Sequence, residues 1–243
     1  MRRAQNLDDS LAQRVAALDW AGIERALDAN GHATTSPLLE PDECQRLRQT
    51  YADAARFRSR IIMERHAFGR GEYQYFAHPL PDEVAALRQA LYRRLVAIAN
   101  RWGEALGRDE RYPERLESFL ARCHAAGQGR PTPLLLKYGA DDYNCLHQDL
   151  YGPLAFPLQA TILLSDPKRD FTGGEFLLVE QRPRQQSKGE VVRLGQGEAV
   201  IFAGNHRPVA GKRGPYRVNL RHGVSRVVSG ERYTLGIIFH DAA

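Results

Sequence analysis

The 243 residues are 43% hydrophobic and 26% charged, a balance that fits a globular protein with one sizeable core and excludes a disordered or collagen-like chain. A net charge of +5, carried almost wholly by arginine, favours polyanions electrostatically. No apolar run is long enough to cross a bilayer, and Met1-Arg2-Arg3-Ala4-Gln5-Asn6 leads into polar residues, so a cytoplasmic protein with no membrane partner is expected.

The first half reads as helical. Ser10 is placed to cap a segment with Leu11, Val15 and Leu18 at helical spacing. A second helix starts near Asp19, carries Trp20, Ile23 and Leu27, and stops at Asn30-Gly31. Pro41 opens a third, with Cys44, Leu47 and Tyr51 on one face. Between it and the next lies an arginine- and aromatic-rich stretch, Arg56 to Phe76, readable as an active-site mouth or as a scaffold hairpin. Pro81 opens the longest helix, with Val84, Leu87, Leu91, Ile98 and Trp102 apolar, and Leu116, Phe119, Leu120 and Cys123 mark another. Cys44, Cys123 and Cys145 form no metal-type pair and are expected as buried thiols.

After Gly127-Gln128-Gly129 the pattern turns to short strands over 133–138, 158–164, 175–179, 190–194, 198–202, 218–228 and 233–239. Strands at this spacing indicate an antiparallel sandwich or barrel, and helices before strands give an α+β chain with N-terminal helices packed on one sheet. One domain over 1–243 is expected, with 1–130 as helical support and substrate lid and 131–243 as the β core.

Within the β half, His147-Gln148-Asp149 carries two ligand-type residues that a strand turns to one side, and His222 lies in a later strand-like run. Two imidazoles and a carboxylate suit ferrous iron, leaving coordination positions free. His206, in the turn-like Gly204-Asn205-His206-Arg207-Pro208, is the rival third ligand. Ser229-Gly230-Glu231 reads as a three-residue hairpin loop. Centred on Gly230, it sets His222 opposite Ile238 and puts Arg232, Thr234 and Gly236 on the histidine's face, leaving Val227, Tyr233, Leu235, Ile237 and Phe239 for helix packing.

The His147/Asp149 pair, Phe171-Thr172-Gly173-Gly174-Glu175-Phe176 and the run from His222 to Leu235 together resemble the Fe(II)- and 2-oxoglutarate-dependent oxygenases, over roughly 133–240 and most like the prolyl-hydroxylase-like branch. The resemblance implies a double-stranded β-helix (jelly-roll) catalytic core with iron at His147, Asp149 and His222. It implies Arg232 on the distal carboxylate of 2-oxoglutarate, where its planar fork suits bidentate contact, Thr234 beside it, and Tyr138 as a further pocket residue. The cofactors implied are Fe(II), 2-oxoglutarate as co-substrate and O2, with succinate and CO2 as products. Asp149 separates the chain from family members that halogenate, which carry a small residue there.

The nearest overall resemblance is to a bacterial oxygenase group suggested to act on damaged DNA. Positions 199–230 hold no acid but Arg207, Lys212, Arg213, Arg217, Arg221 and Arg226, which could contact phosphates, and aromatics between Phe57 and Phe76 could stack on a base. A nucleic-acid substrate is therefore one reading, and hydroxylation of a protein or peptide side chain is the alternative. A non-catalytic cupin-like metal-binding module is a third, disfavoured because it leaves Arg232 and Thr234 without a purpose.

Overall fold

The computed structural model describes residues 10–243. A helix over 10–16 (α1) turns Leu11 and Val15 inward, and Ser10, expected as its cap, already lies within it. α2 (Trp20–Asn30) begins where the Asp19 carboxylate accepts from the Gly22 amide and ends at Gly31, whose φ of 77° suits a residue without a side chain. α3 (Pro41–Gln49) opens on a reciprocal capping box between Glu40 and Glu43. α4 (Asp82–Ala105) and α5 (Leu116–Ala125) carry the expected apolar faces.

Seven strands form the major sheet in the order β1 (His32–Thr34), β11 (Ala199–Ala203), β7 (Leu158–Leu163), β15 (Arg232–Ile237), β5 (Leu134–Tyr138), β4 (Glu72–Phe76), β2 (Phe57–Ile62). The minor sheet runs β10 (Lys188–Val192), β9 (Phe176–Gln181), β13 (Tyr216–Val224), β6 (Tyr143–His147), β3 (Gly69–Arg70), with β12 (His206–Val209) also on β13. β8 (Phe171–Gly173) and β14 (Val227–Gly230) pair as a separate two-stranded ribbon. This is the jelly-roll architecture, with the helices on the major sheet.

Alternation along the strands divides the core. Leu135, Ile162, Ile201, Leu235 and Ile237 pack with Leu87, Leu91, Leu95 and the other helix residues. The intervening positions, including Leu163, Val200 and Phe202, meet Phe176, Leu178 and Val224 of the minor sheet. Each such fully buried side chain contributes about 2 kcal/mol, so this helix–sheet seam outweighs the few tenths of a kcal/mol per residue that separate helix propensities.

The expected hairpin through Gly230 does not form. β13 lies in the minor sheet and β15 in the major one, while β14 pairs with β8. Gly230, at φ 80°, instead lets the chain press against Asp170, whose carbonyl oxygen would stand 2.0 Å from an added Cβ. The alternation holds although the pairing does not: Tyr233, Leu235, Ile237 and Phe239 join the helix core, and Arg232, Thr234, Gly236 and Ile238 face the space between the sheets. Val227, grouped with them by the hairpin register, packs between the sheets. The 56–76 stretch combines both of its readings: β2 and β4 extend the major sheet, and the turn between them carries Ala67 and Phe68 to the pocket mouth.

Candidate active site

The space between the sheets opens as a cavity of about 400 Å3. On its minor-sheet wall, β6 and β13 pair with His147 opposite His222, bringing their ring centroids to 4.2 Å. Gly223 permits this approach, because a Cβ there would stand 2.7 Å from the Asn144 carbonyl oxygen. Asp149 follows β6 in a turn pinned by Gln148, whose amide donates to the carbonyls of Asn205 at 3.0 Å and Leu220 at 2.8 Å.

Nε2 of His147 lies 3.5 Å from Oδ1 of Asp149, and Nε2 of His222 lies 3.2 Å from Oδ2. One donor atom from each of the three falls within 4.8 Å of the others. Ligands at metal bond lengths of roughly 2.1 Å stand roughly 3 Å apart when adjacent, so the set fits a divalent ion. Its chemistry fits iron's facial triad. His147 donates from Nδ1 to the Cys145 carbonyl at 2.8 Å, which leaves Nε2 for the metal. Phe202, with its centroid 4.7 Å away, and Phe176, at 6.0 Å, fix the His222 ring.

Burial opposes charge on Asp149, yet hydrogen bonds from both imidazoles hold its carboxyl well below the usual range. Burial lowers the pKa of His222. For His147, burial also opposes protonation, but contact with Asp149 prevails and raises its pKa.

Arg232 and Thr234 come from β15 on the opposite wall, both buried. Nε and Nη1 of Arg232 have no hydrogen-bond partner, and burial lowers its pKa to about 10. A buried, unpaired guanidinium is costly, and an anionic ligand would satisfy it. Tyr138, opposite Arg232 across β5 and β15, is fully buried, with its ring 5.6 Å from the guanidinium carbon, and Phe171 lies on another side at 5.9 Å. The residues present thus fit both a metal ion and a dicarboxylate.

Sequence reasoning missed Tyr151. Its hydroxyl donates to Oδ1 of Asp149 at 2.7 Å, and the hydroxyl of Tyr75 donates to Tyr151 at 3.2 Å. Tyr151 lies two residues past Asp149 in the irregular segment after β6, where no strand period marks it.

Other expectations are corrected. His206 lies apart from the triad and meets Arg108. Cys145 is exposed rather than buried, because β6 lies near the mouth, whereas Cys44 and Cys123 are buried. Arg207 is no phosphate contact: it is 1% exposed, pairs with Glu180 at 2.6 Å and donates to the last carbonyls of α2, Asp28 and Ala29. The other arginines of that run are not withdrawn in this way: Arg217 and Arg221 stay exposed on the face of β13 away from His222, and Arg226 is an exposed partner of Asp141. No helix among the described residues is long and apolar enough to cross a membrane.

A family model, Oxygenase-NA, described as "Oxygenase, catalysing oxidative methylation of damaged DNA", matches residues 71–242. An uncharacterized protein of Mycobacterium tuberculosis, present in two strains, is 54% identical over 177 residues, 73% of this chain and 76% of that protein. A 2OG-Fe(II) oxygenase family oxidoreductase from Burkholderia pseudomallei aligns with a TM-score of 0.52 at 17% identity, covering 92% of this chain and 93% of that one. A prolyl hydroxylase from Trichoplax adhaerens, solved with a hypoxia inducible factor peptide fragment, aligns at 0.52 and 12% identity over 90% and 87% of the two chains. At such identities these two likenesses are of fold.

Proposed function

Because the chain belongs to the Oxygenase-NA family and is an Fe(II)- and 2-oxoglutarate-dependent dioxygenase, we propose that it oxidises a C–H bond on an alkylated or otherwise damaged base in nucleic acid. The observation that supports this use of the pocket is its pairing of a His-Asp-His set on one wall with an orphaned buried guanidinium on the other. The family's description carries the choice of nucleic acid.

In this reading His147, Asp149 and His222 hold the iron, with Nε2 of each neutral ring and the ionised carboxylate as donors. Bound iron and 2-oxoglutarate supply the oxidising power, consuming O2 and leaving succinate and CO2. The protein's own contribution is placement and exclusion of water. Arg232 receives the distal carboxylate of 2-oxoglutarate as a charge-assisted pair, and its burial makes that pairing stronger than it would be in water. Thr234, two residues along the same face of β15, donates its hydroxyl to the same carboxylate. Tyr138 supports the guanidinium through its ring. Residues 131–243 then serve as the catalytic core and the earlier helices as its support.

The test is succinate release with Fe(II) and 2-oxoglutarate across alkylated single- and double-stranded DNA, RNA and peptide pools. Stimulation by N-alkylated strands, with formaldehyde from N-methyl groups, is expected. Stimulation by peptides but not by nucleic acids would overturn the substrate reading and favour side-chain hydroxylation.

A further inference from the structure

A second groove, of about 340 Å3, opens beside the metal site and shares Asp149 and Leu150 with the reaction pocket. Arg108, from the loop between α4 and α5, meets the His206 ring of β12 there, Nη2 against Nε2. Arg217 lies opposite Pro208 where β12 pairs with β13, two positions along the strand from Asn219, the partner of His206, so it stands at the groove's edge on the same exposed face as that histidine. Burial, and then these two arginines, lowers the pKa of His206 to about 4, so the positive charge here belongs to the arginines. Neither arginine has a carboxylate within salt-bridge distance among the described residues, and Glu110 is the one acid besides Asp149 that lines the groove.

The reaction-pocket mouth has the opposite character. Among the described residues six large apolar side chains are exposed, and three of them, Phe68 at 48%, Leu146 at 41% and Leu150 at 57%, line this pocket. Leu150 belongs to both spaces, so apolar rim and cationic groove are contiguous. A ligand that fits both is planar and weakly polar at its reacting end and anionic immediately beside it. That is the chemistry of a nucleotide unit in a single or locally opened strand: a base that stacks, joined through a sugar to a phosphodiester.

We propose that Arg108, His206 and Arg217 form a phosphate subsite that holds the phosphodiester beside the reacting base, while Phe68, Leu146 and Leu150 receive the base. The inference rests on the nucleic-acid reading of the pocket and adds to it the residues that grip the backbone. Of the arginine-rich run expected to grip phosphates, Arg217 belongs to this subsite, whereas Arg207 is buried in an ion pair.

The test is anisotropy titration of a short single-stranded oligonucleotide carrying one N-methylated base with the full chain, repeated across a NaCl series. Melting curves establish that each variant is folded. Arg108→Glu is expected to weaken binding at least about 10-fold and to flatten the slope of log affinity on log salt by about 1. Arg217→Glu should act in the same direction. Phe68→Ala should weaken binding with the slope unchanged. Arg93→Glu, the same charge change on an exposed residue about 20 Å back along α4, should leave the slope as it is. If wild type binds the oligonucleotide and Arg108→Glu and Arg217→Glu behave like Arg93→Glu, the subsite is wrong and the nucleic-acid reading stands. If wild type binds the oligonucleotide no better than an acidic peptide of equal charge, and peptides alone stimulate succinate release, both fall.

Discussion

The Tyr151 hydroxyl, 2.7 Å from Oδ1 of Asp149, gives the carboxylate a hydrogen-bond donor that is not a candidate metal ligand. Burial, and then the neighbouring Asp149, pushes the tyrosine's pKa well above its ordinary value, so it remains a donor throughout the working range. Tyr75 donates in turn to Tyr151, and the Arg58 guanidinium carbon sits 4.4 Å from the centre of the Tyr75 ring. Such outer partners orient a ligand, and their loss typically costs 10–100-fold in metal affinity. Tyr151→Phe should therefore weaken Mn(II) or Co(II) binding by about 10-fold or more in calorimetric titration, and Tyr75→Phe by less. Unchanged affinity in Tyr151→Phe would remove the role.

Arg232 supports a prediction with the opposite split. Its guanidinium is buried, partly unpaired and located on the other wall from the triad. Arg232→Ala should lower 2-oxoglutarate affinity on the order of 100-fold, the scale of truncating one member of a buried charge pair, while metal affinity stays within a few-fold. Arg232→Lys should recover only part, because an ammonium lacks the planar fork. Calorimetry on the Mn(II)-loaded protein under nitrogen separates the two affinities, and an unchanged 2-oxoglutarate affinity would refute the assignment.

Gly174 reaches the same guanidinium from behind. It sits at φ 63°, and a Cβ there would lie 2.8 Å from Val227 Cγ2 and 2.9 Å from Arg232 Cδ. Gly174→Ala should cost at least about 1 kcal/mol of stability through the strained backbone and should shift Arg232 enough to weaken 2-oxoglutarate binding. A melting curve and a 2-oxoglutarate titration check the two halves, and a variant altered in neither would show that the turn and Arg232 adjust independently.

Which residues face the pocket was legible because strand alternation has a period of two. Arg232 with Thr234 follows from that period, while Asp149, just past the end of β6, is brought beside His147 by the segment that Gln148 pins. Which strands pair was not legible, since alternation does not say whether the chain turns back on itself or crosses to the other sheet. The run through Val227 to Gly230 crosses, so the Gly230 hairpin failed while the faces it assigned to β15 held. Charge was legible in amount but not in place: Arg207 counts as one more basic residue until the fold buries it against Glu180. Arg108 and His206 meet although 98 positions apart, a neighbourhood that no local pattern encodes.

His240, which is not a candidate ligand although its ring lies 5.9 Å from that of Tyr151, provides a pH prediction. It is 1% exposed, its Nδ1 accepts from the Phe156 amide at 3.2 Å, and its Nε2 has no partner. Burial first, and the nearby Arg88 second, lowers its pKa from 6.5 to about 4. In the unfolded chain the ring takes up a proton near its ordinary pKa, whereas in the fold it resists until well below. Its contribution to stability is therefore complete above the unfolded pKa and is lost as the pH falls toward the folded one. A shift of that size corresponds to something on the order of 3 kcal/mol, or a melting-temperature change of roughly 6–12 °C for a chain of this length. His240→Asn keeps an acceptor for the Phe156 amide without a titrating ring. Its melting temperature should fall less steeply than that of wild type between about pH 7 and pH 4, whatever the offset between the two at neutral pH. Parallel curves would mean that acid reaches the fold through other groups and that the His240 ring accepts its proton in place.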